Sequence, residues 1–162
     1  MDSLFPDNAP AGADDLALVA AYGFVGRTLD DLPYTDDFDR LADAYKRSFA
    51  SRPCPLKTHA EILHRLQGLR KAGKLPRLGR AASPPPVITP EHEALLRALI
   101  LESLGSTGRR DSLPYTPQFD HLLHLFNHRA ALSLAPHDLW RLIARLTKSS
   151  TDPEHAPPDA RA

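Results

Sequence analysis

Three histidines of one predicted helix have a spacing that suits metal coordination. His121, His124 and His128 lie at i, i+3 and i+7, so their imidazoles project from one narrow sector and could share an ion. That sector lies opposite the apolar residues of the same helix, and no cysteine is near enough in sequence to complete a site. We therefore predict that these histidines face solvent and that the protein binds no metal.

A second set of residues could contact phosphate groups. With Ile62, Leu66 and Leu69 facing the core, the outward face of the predicted third helix carries no acidic residue. The outward face of the last predicted helix, which includes Ala144, also carries no acidic residue. A helix face with only positive charges suits contact with nucleic-acid phosphates. An equal alternative is a solvated face whose cations only complement the helix dipole. The predicted nucleic-acid-binding residues are His64, Gln67, Arg70, Lys71, Lys74, Arg77, Arg80, Arg141, Arg145 and Lys148.

No pattern in the chain indicates catalysis. The paired acids at 30–31 and 36–37 fall in a turn and at a helix start, where carboxylates are favourable for structural reasons. The single cysteine, Cys54, lies between two prolines, cannot form an internal disulfide and has no Cys/His cluster of zinc-site spacing around it. We predict a protein that is not an enzyme, with no cofactor and no small-molecule substrate.

The charges are segregated along the chain although the formal net charge is zero. Residues 1–45 contain ten acids and two bases, whereas residues 46–80 contain ten bases and one acid. This segregation supports either a basic surface for nucleic acid or pairing of the two segments with each other or with a partner.

The elements that position these residues are organised around a short sequence that occurs twice. Leu-Pro-Tyr-Thr-Asp-Asp-Phe-Asp-Arg-Leu spans 32–41, and Leu-Pro-Tyr-Thr-Pro-Gln-Phe-Asp-His-Leu spans 113–122. We refer to these two segments as the boxes. An apolar stretch precedes each box and an amphipathic run with a basic end follows it, so the sequence predicts a tandem duplication.

Threonines indicate where the helices start. Two of these threonines are followed by a proline at the first helical position, and one can form a capping box with Glu61. The predicted N-caps are Thr35, Thr58, Thr89 and Thr116. The predicted fold is all-α, with two three-helix repeats joined by a proline-rich linker. The predicted boundaries are a disordered arm at 1–13, a first repeat at 14–80, a linker at 81–88, a second repeat at 89–148 and a disordered tail at 149–162.

Apolar spacing defines the predicted core. In the first helix the residues at three- and four-residue intervals are Leu16, Val19, Ala20, Gly23 and Phe24, which predicts that they face inward. In the later helices the same criterion selects Phe38, Leu41, Ala42, Tyr45 and Phe49; Ile62, Leu63, Leu66 and Leu69; Leu95, Leu96, Leu99, Ile100 and Leu104; Phe119, Leu122, Leu123 and Phe126; and Leu139, Leu142, Ile143 and Leu146, with Trp140 at the edge.

The arrangement resembles the trihelical helix-turn-helix class, which includes Myb/SANT-like and winged-helix domains. Phe126-Asn127-His128-Arg129, followed by a loop and then by Trp140-Arg141 through Arg145-Leu146-Thr147-Lys148, is similar to the second and third helices of a Myb/SANT-like domain. The resemblance covers most of residues 89–148 and, more faintly, 14–75. It implies that the third helix of each repeat is a recognition helix and that residues 74–80 occupy the place of a wing.

The leading hypothesis from sequence is a non-enzymatic protein that binds nucleic acid, duplex DNA in particular, through its basic third helices. The alternative is a helical protein-interaction adaptor with segregated acidic and basic surfaces. No run of the sequence approaches the roughly 18 apolar residues of a membrane helix, and no signal peptide is recognisable, so we expect a cytoplasmic protein without a membrane partner.

Overall fold

Threonine side chains begin four of the helices in the computed structural model, which describes residues 11–49, 57–79, 84–105 and 107–149. At each of these starts a threonine oxygen accepts a hydrogen bond from the backbone N–H three residues on, and Thr58 and Glu61 form the predicted capping box. The described residues are helical or irregular and contain no strand, so the predicted all-α class is confirmed. Cys54 and Arg80 lie outside the described residues.

The chain divides into two units, residues 1–84 and 85–162, and the division falls within the predicted linker. The described part of each contains three α-helices, which is compatible with two three-helix repeats. A short 3₁₀ turn precedes each box, at Leu29–Asp31 and at Thr107–Ser112. The helices are α1 (Ala11–Val25), α2 (Asp36–Arg47), α3 (His59–Lys71), α4 (Pro90–Leu104), α5 (Pro117–Ala130) and α6 (Pro136–Ser149).

The two boxes adopt the same local structure. The hydroxyl of Thr35 donates to the carbonyl of Leu32 over 2.6 Å, and the hydroxyl of Thr116 donates to the carbonyl of Leu113 over 2.6 Å. The tyrosine before each threonine has a φ of 63°, a left-handed conformation that L-residues adopt only under local constraint. Chain reversal and helix start are thus combined in four residues at both places.

In the first unit, α1 packs against both α2 and α3. The predicted inward residues of α2 and α3 are buried, apart from Phe49, which lies two residues beyond the end of α2 and is half-buried. The prediction for α1 is wrong, because Leu16, Ala20, Gly23 and Phe24 are exposed and Val19 is half-buried. The buried residues of α1 are instead Leu18, Ala21 and Tyr22.

In the second unit, α4 packs against α5, and the 3₁₀ turn packs against α4 and α6. The predicted core is buried except for Leu95, Leu104 and Leu123, which are half-buried. Trp140 is buried with the core of α6, so it serves packing. None of the described helices combines the length and the apolar character needed to cross a bilayer.

Candidate interaction surfaces

Two arginines of α3 are engaged by acids from the N-terminal part of the chain. Arg65 donates from Nε to Oδ1 of Asp15 over 2.7 Å and from Nη2 to Oδ2 over 2.6 Å, a two-point pairing that spans 50 residues of sequence. Arg70 donates from Nη1 to Oδ1 of Asp30 over 2.9 Å. Both guanidinium groups therefore already have carboxylate partners, which reduces what they can offer to a phosphate.

The start of α3 is likewise surrounded by acids. Lys57 and the hydroxyl of Tyr45 both donate to the carboxylate of Asp14. The Nε2 atom of His59 lies 2.9 Å from Oδ1 of Asp39 on α2. Because a recognition helix contacts bases mainly through its N-terminal residues, carboxylates at this end oppose insertion of α3 into a DNA groove.

The pairing of Asp15 with Arg65 changes the proton affinity of both groups. The hydrogen bonds from Arg65 hold the pKa of the Asp15 carboxyl below its ordinary value of 3.8. The same hydrogen bonds raise the pKa of Arg65. Both groups therefore remain charged at neutral pH and keep α1 and α3 joined at the surface.

Two of the positions predicted to face outward are buried. Gln67 is only 4% exposed, and its Oε1 accepts no hydrogen bond within the described part of the chain. Ala144, at the corresponding position of α6, is also buried. The outward assignment of both is wrong because these helices bury a wider sector than was predicted. In α3 the sector includes Gln67 beside Leu63, and in α6 it includes Ala144 and also Trp140, which was predicted at the edge of the core.

The remaining predicted site residues of the second unit do not form one open basic face. Arg145 lies 3.5 Å from Glu93 of α4, and Arg141 is half-buried. Lys148 is exposed at the end of α6. Arg110, which the sequence analysis did not select, donates to the carbonyl of Ala144 over 2.8 Å and so binds the C-terminal half of α6.

In the first unit, three exposed cations follow one another at and beyond the end of α3. Lys71 is the last residue of the helix, and Lys74 and Arg77 lie in the irregular segment after it. We call Lys71, Lys74 and Arg77 the basic strip. His64, also predicted to contact nucleic acid, is exposed about two turns before the end of α3.

The histidines at 121, 124 and 128 are all exposed on α5, as predicted. Among the described residues, no group of three or more histidine, cysteine, aspartate or glutamate side chains is arranged to hold a metal ion.

The surface that the sequence analysis missed is the outward side of α1. Leu16 is 70% exposed and Phe24 is 79% exposed, and the residues between them on the same side, Ala20 and Gly23, are exposed as well. With Gly12 at the start of the helix, these residues form what we call the outer face of α1. The face carries no charged or polar side chain over about four turns, because Asp14 points to Lys57, two residues before α3, and Asp15 points to Arg65 on α3.

Comparisons of the chain with protein families, with characterised proteins and with solved structures found no match. The helix-turn-helix resemblance therefore stays a prediction about an all-α chain.

Proposed function

We propose that this protein is a non-enzymatic helical interaction module, in which the outer face of α1 binds a helix of a protein partner. The observation that carries this proposal is the exposure of Leu16 and Phe24 on one side of a helix whose other side is already packed. A helix with large apolar side chains on two opposite sides normally buries both of them. The partner's chemistry is then that of an amphipathic helix, which would contribute apolar side chains to this face.

The charges of the first unit agree with this proposal better than with groove binding. The acids of the N-terminal segment and the bases of the middle segment contact each other through Asp14, Asp15, Asp30 and Asp39. Across residues 1–84 the chain has 11 acids and 12 bases, so the unit is nearly neutral. A nearly neutral surface attracts nucleic acid weakly, whereas association through an apolar face does not depend on net charge.

A photo-reactive amino acid at Gly23 tests the proposal. A side chain added at Gly23 meets no atom within 4 Å, so the substitution is sterically tolerated and points outward. After illumination in the cells that make the protein, mass spectrometry is expected to identify a protein cross-linked at this position. The matched control carries the same group at Asp43, which is exposed on α2 of the same unit. Equal cross-linking from both positions, or none from Gly23, would overturn the proposal.

Nucleic-acid binding is the second candidate, and the exposure of the basic strip favours it. Its cations lie at the opposite end of α3 from the acids around His59, so they could contact phosphates without inserting the helix into a groove. Such contact would be independent of base sequence and would weaken with salt by a log-log slope of about −0.9 per phosphate neutralised.

Electrophoretic mobility with random duplex DNA at two salt concentrations tests the second candidate. Replacing Lys74 and Arg77 by glutamate is expected to abolish the shift. The control, Lys46→Glu with Arg47→Glu, makes the same change of charge on the exposed end of α2. No shift at about 50 mM salt with tens of micromolar protein would exclude this candidate, because even non-specific binders have a Kd of about 10⁻⁴–10⁻⁶ M at physiological salt.

A further inference from the structure

We infer that the helix bound by the outer face of α1 is α1 of a second copy of this chain, packed antiparallel across a twofold axis. This inference rests on the proposed function and names its partner. In a twofold pair the same surface is used by both copies, so the face must be complementary to itself.

The order of side chains on the outer face has this self-complementarity. If the axis passes the level of Leu18, the midpoint of α1, residue 12 of one copy lies opposite residue 24 of the other, and residue 16 lies opposite residue 20. Phe24 then meets Gly12, and Leu16 meets Ala20. Each large side chain faces a small one, which is how the ridges of one helix fit the grooves of another.

The absence of charge on this face also favours a second copy. Two identical faces bring like charges together, and like charges in contact oppose association. The two acids of α1 point away from the outer face, where Asp14 contacts Lys57 and Asp15 contacts Arg65. In an antiparallel pair, moreover, the positive end of each helix dipole lies beside the negative end of its partner.

The size of the face determines the strength of the dimer. Taking about 200 Å² as the full surface of a large apolar side chain, the exposed fractions of Leu16 and Phe24 amount to roughly 300 Å² per copy. Stable interfaces bury about 800 Å² per partner. The expected dimer is therefore weak and its population rises with protein concentration.

Sedimentation equilibrium of the full chain from a few micromolar to several hundred micromolar tests the inference. We expect the weight-average mass to rise toward that of a dimer. Leu16→Glu is expected to weaken dimerisation by at least about tenfold, as for a central interface residue. Leu101→Glu is the matched control, because Leu101 is 50% exposed on α4 and lies outside the outer face of α1.

A charge swap tests the register. Leu16→Glu and Ala20→Lys should each remain monomeric, whereas their mixture should form a heterodimer, because position 16 of one copy lies opposite position 20 of the other. Mixing Leu16→Glu with Ala20→Glu should give no dimer. Circular dichroism checks that each variant is folded, which is expected because both positions are exposed.

The outcomes separate the inference from the proposed function. A parent chain that stays monomeric at every concentration, or a mixture that dimerises whichever charge is at position 20, overturns the second-copy inference. A cross-link from Gly23 to a different protein, or to residues 1–10 of the same chain, also overturns it. A cross-link from Gly23 to a different protein still supports an interaction module. The absence of any intermolecular cross-link from Gly23 contradicts the proposed function itself.

Discussion

Removing the hydroxyl of one box threonine should destabilise the unit that contains it. In Thr35→Ala the chain loses the hydroxyl hydrogen bond to Leu32 (2.6 Å) and the cap that accepts from the backbone of Phe38 (3.2 Å). The Leu32 carbonyl keeps a second donor, the backbone N–H of Thr35 at 3.2 Å, so it is not left without a partner. The expected cost is the ordinary cost of an N-cap, about 1 kcal/mol, with a range of roughly 0.5–2 kcal/mol.

Thr116→Ala should cost about the same amount, because its hydroxyl donates to Leu113 over 2.6 Å and accepts from Phe119 over 3.3 Å. The chain has a single tryptophan, Trp140, which is buried in the second unit and gives that unit its own fluorescence signal. Urea unfolding followed by this fluorescence should therefore detect Thr116→Ala directly. With a urea dependence of about 1 kcal/mol per molar for a unit of this size, the midpoint should fall by roughly 1 M.

Serine provides the control for both boxes, since it retains the hydroxyl. Thr35→Ser and Thr116→Ser should remain within a few tenths of a kcal/mol of the parent, because serine is at least as good an N-cap as threonine. A serine variant as unstable as the alanine variant would show that the methyl group matters and the hydroxyl does not. A loss below about 0.3 kcal/mol in both alanine variants would refute the assignment of the boxes as structural caps.

Two further changes test the contacts of α3. Asp15→Asn should lower the free energy of unfolding at pH 7 by about 0.2–1 kcal/mol, the range for an ion pair near the surface. Because the pKa of Asp15 is lowered in the folded protein, this difference should disappear as the pH falls below 3.8 and through the folded pKa. Urea unfolding at each pH measures it, and a difference that stays constant with pH would contradict the pairing. Gln67→Met should raise stability by about 1 kcal/mol, because at nearly constant volume it removes a buried oxygen that accepts no hydrogen bond from the described residues. A lower melting temperature in calorimetry would contradict this.

Helix starts could be predicted from sequence because their chemistry is local. A threonine cap, a proline at the first helical position and an acid in the first turn all lie within four residues of one another, and α2 to α5 begin where these residues occur. The buried side of α2 was predictable as well, because its charged residues leave only one side of the helix apolar.

The ion pairs of α3 could not be predicted in the same way. Asp15 and Arg65 are 50 residues apart, and Arg70 and Asp30 are 40 apart, so only the tertiary structure of the unit brings each pair together. The segregation of charge along the sequence indicated that pairing was possible but could not identify partners. Gln67 was misplaced because the inward direction of α3 was set by Ile62, Leu66 and Leu69, although a helix that packs along a wider face can also bury a polar residue beside them.

The orientation of α1 about its own axis was not determined by hydrophobicity, since the helix is apolar on both sides. Turning α1 by half a turn would bury Leu16 and Phe24 in place of Leu18 and Tyr22, at little cost in apolar area. The same rotation would carry Asp14 and Asp15 away from Lys57 and Arg65 and break both ion pairs. These two carboxylates therefore select which apolar side faces α2 and α3. The other side is exposed in the described part of the unit, and it is the face on which the proposed partner would pack.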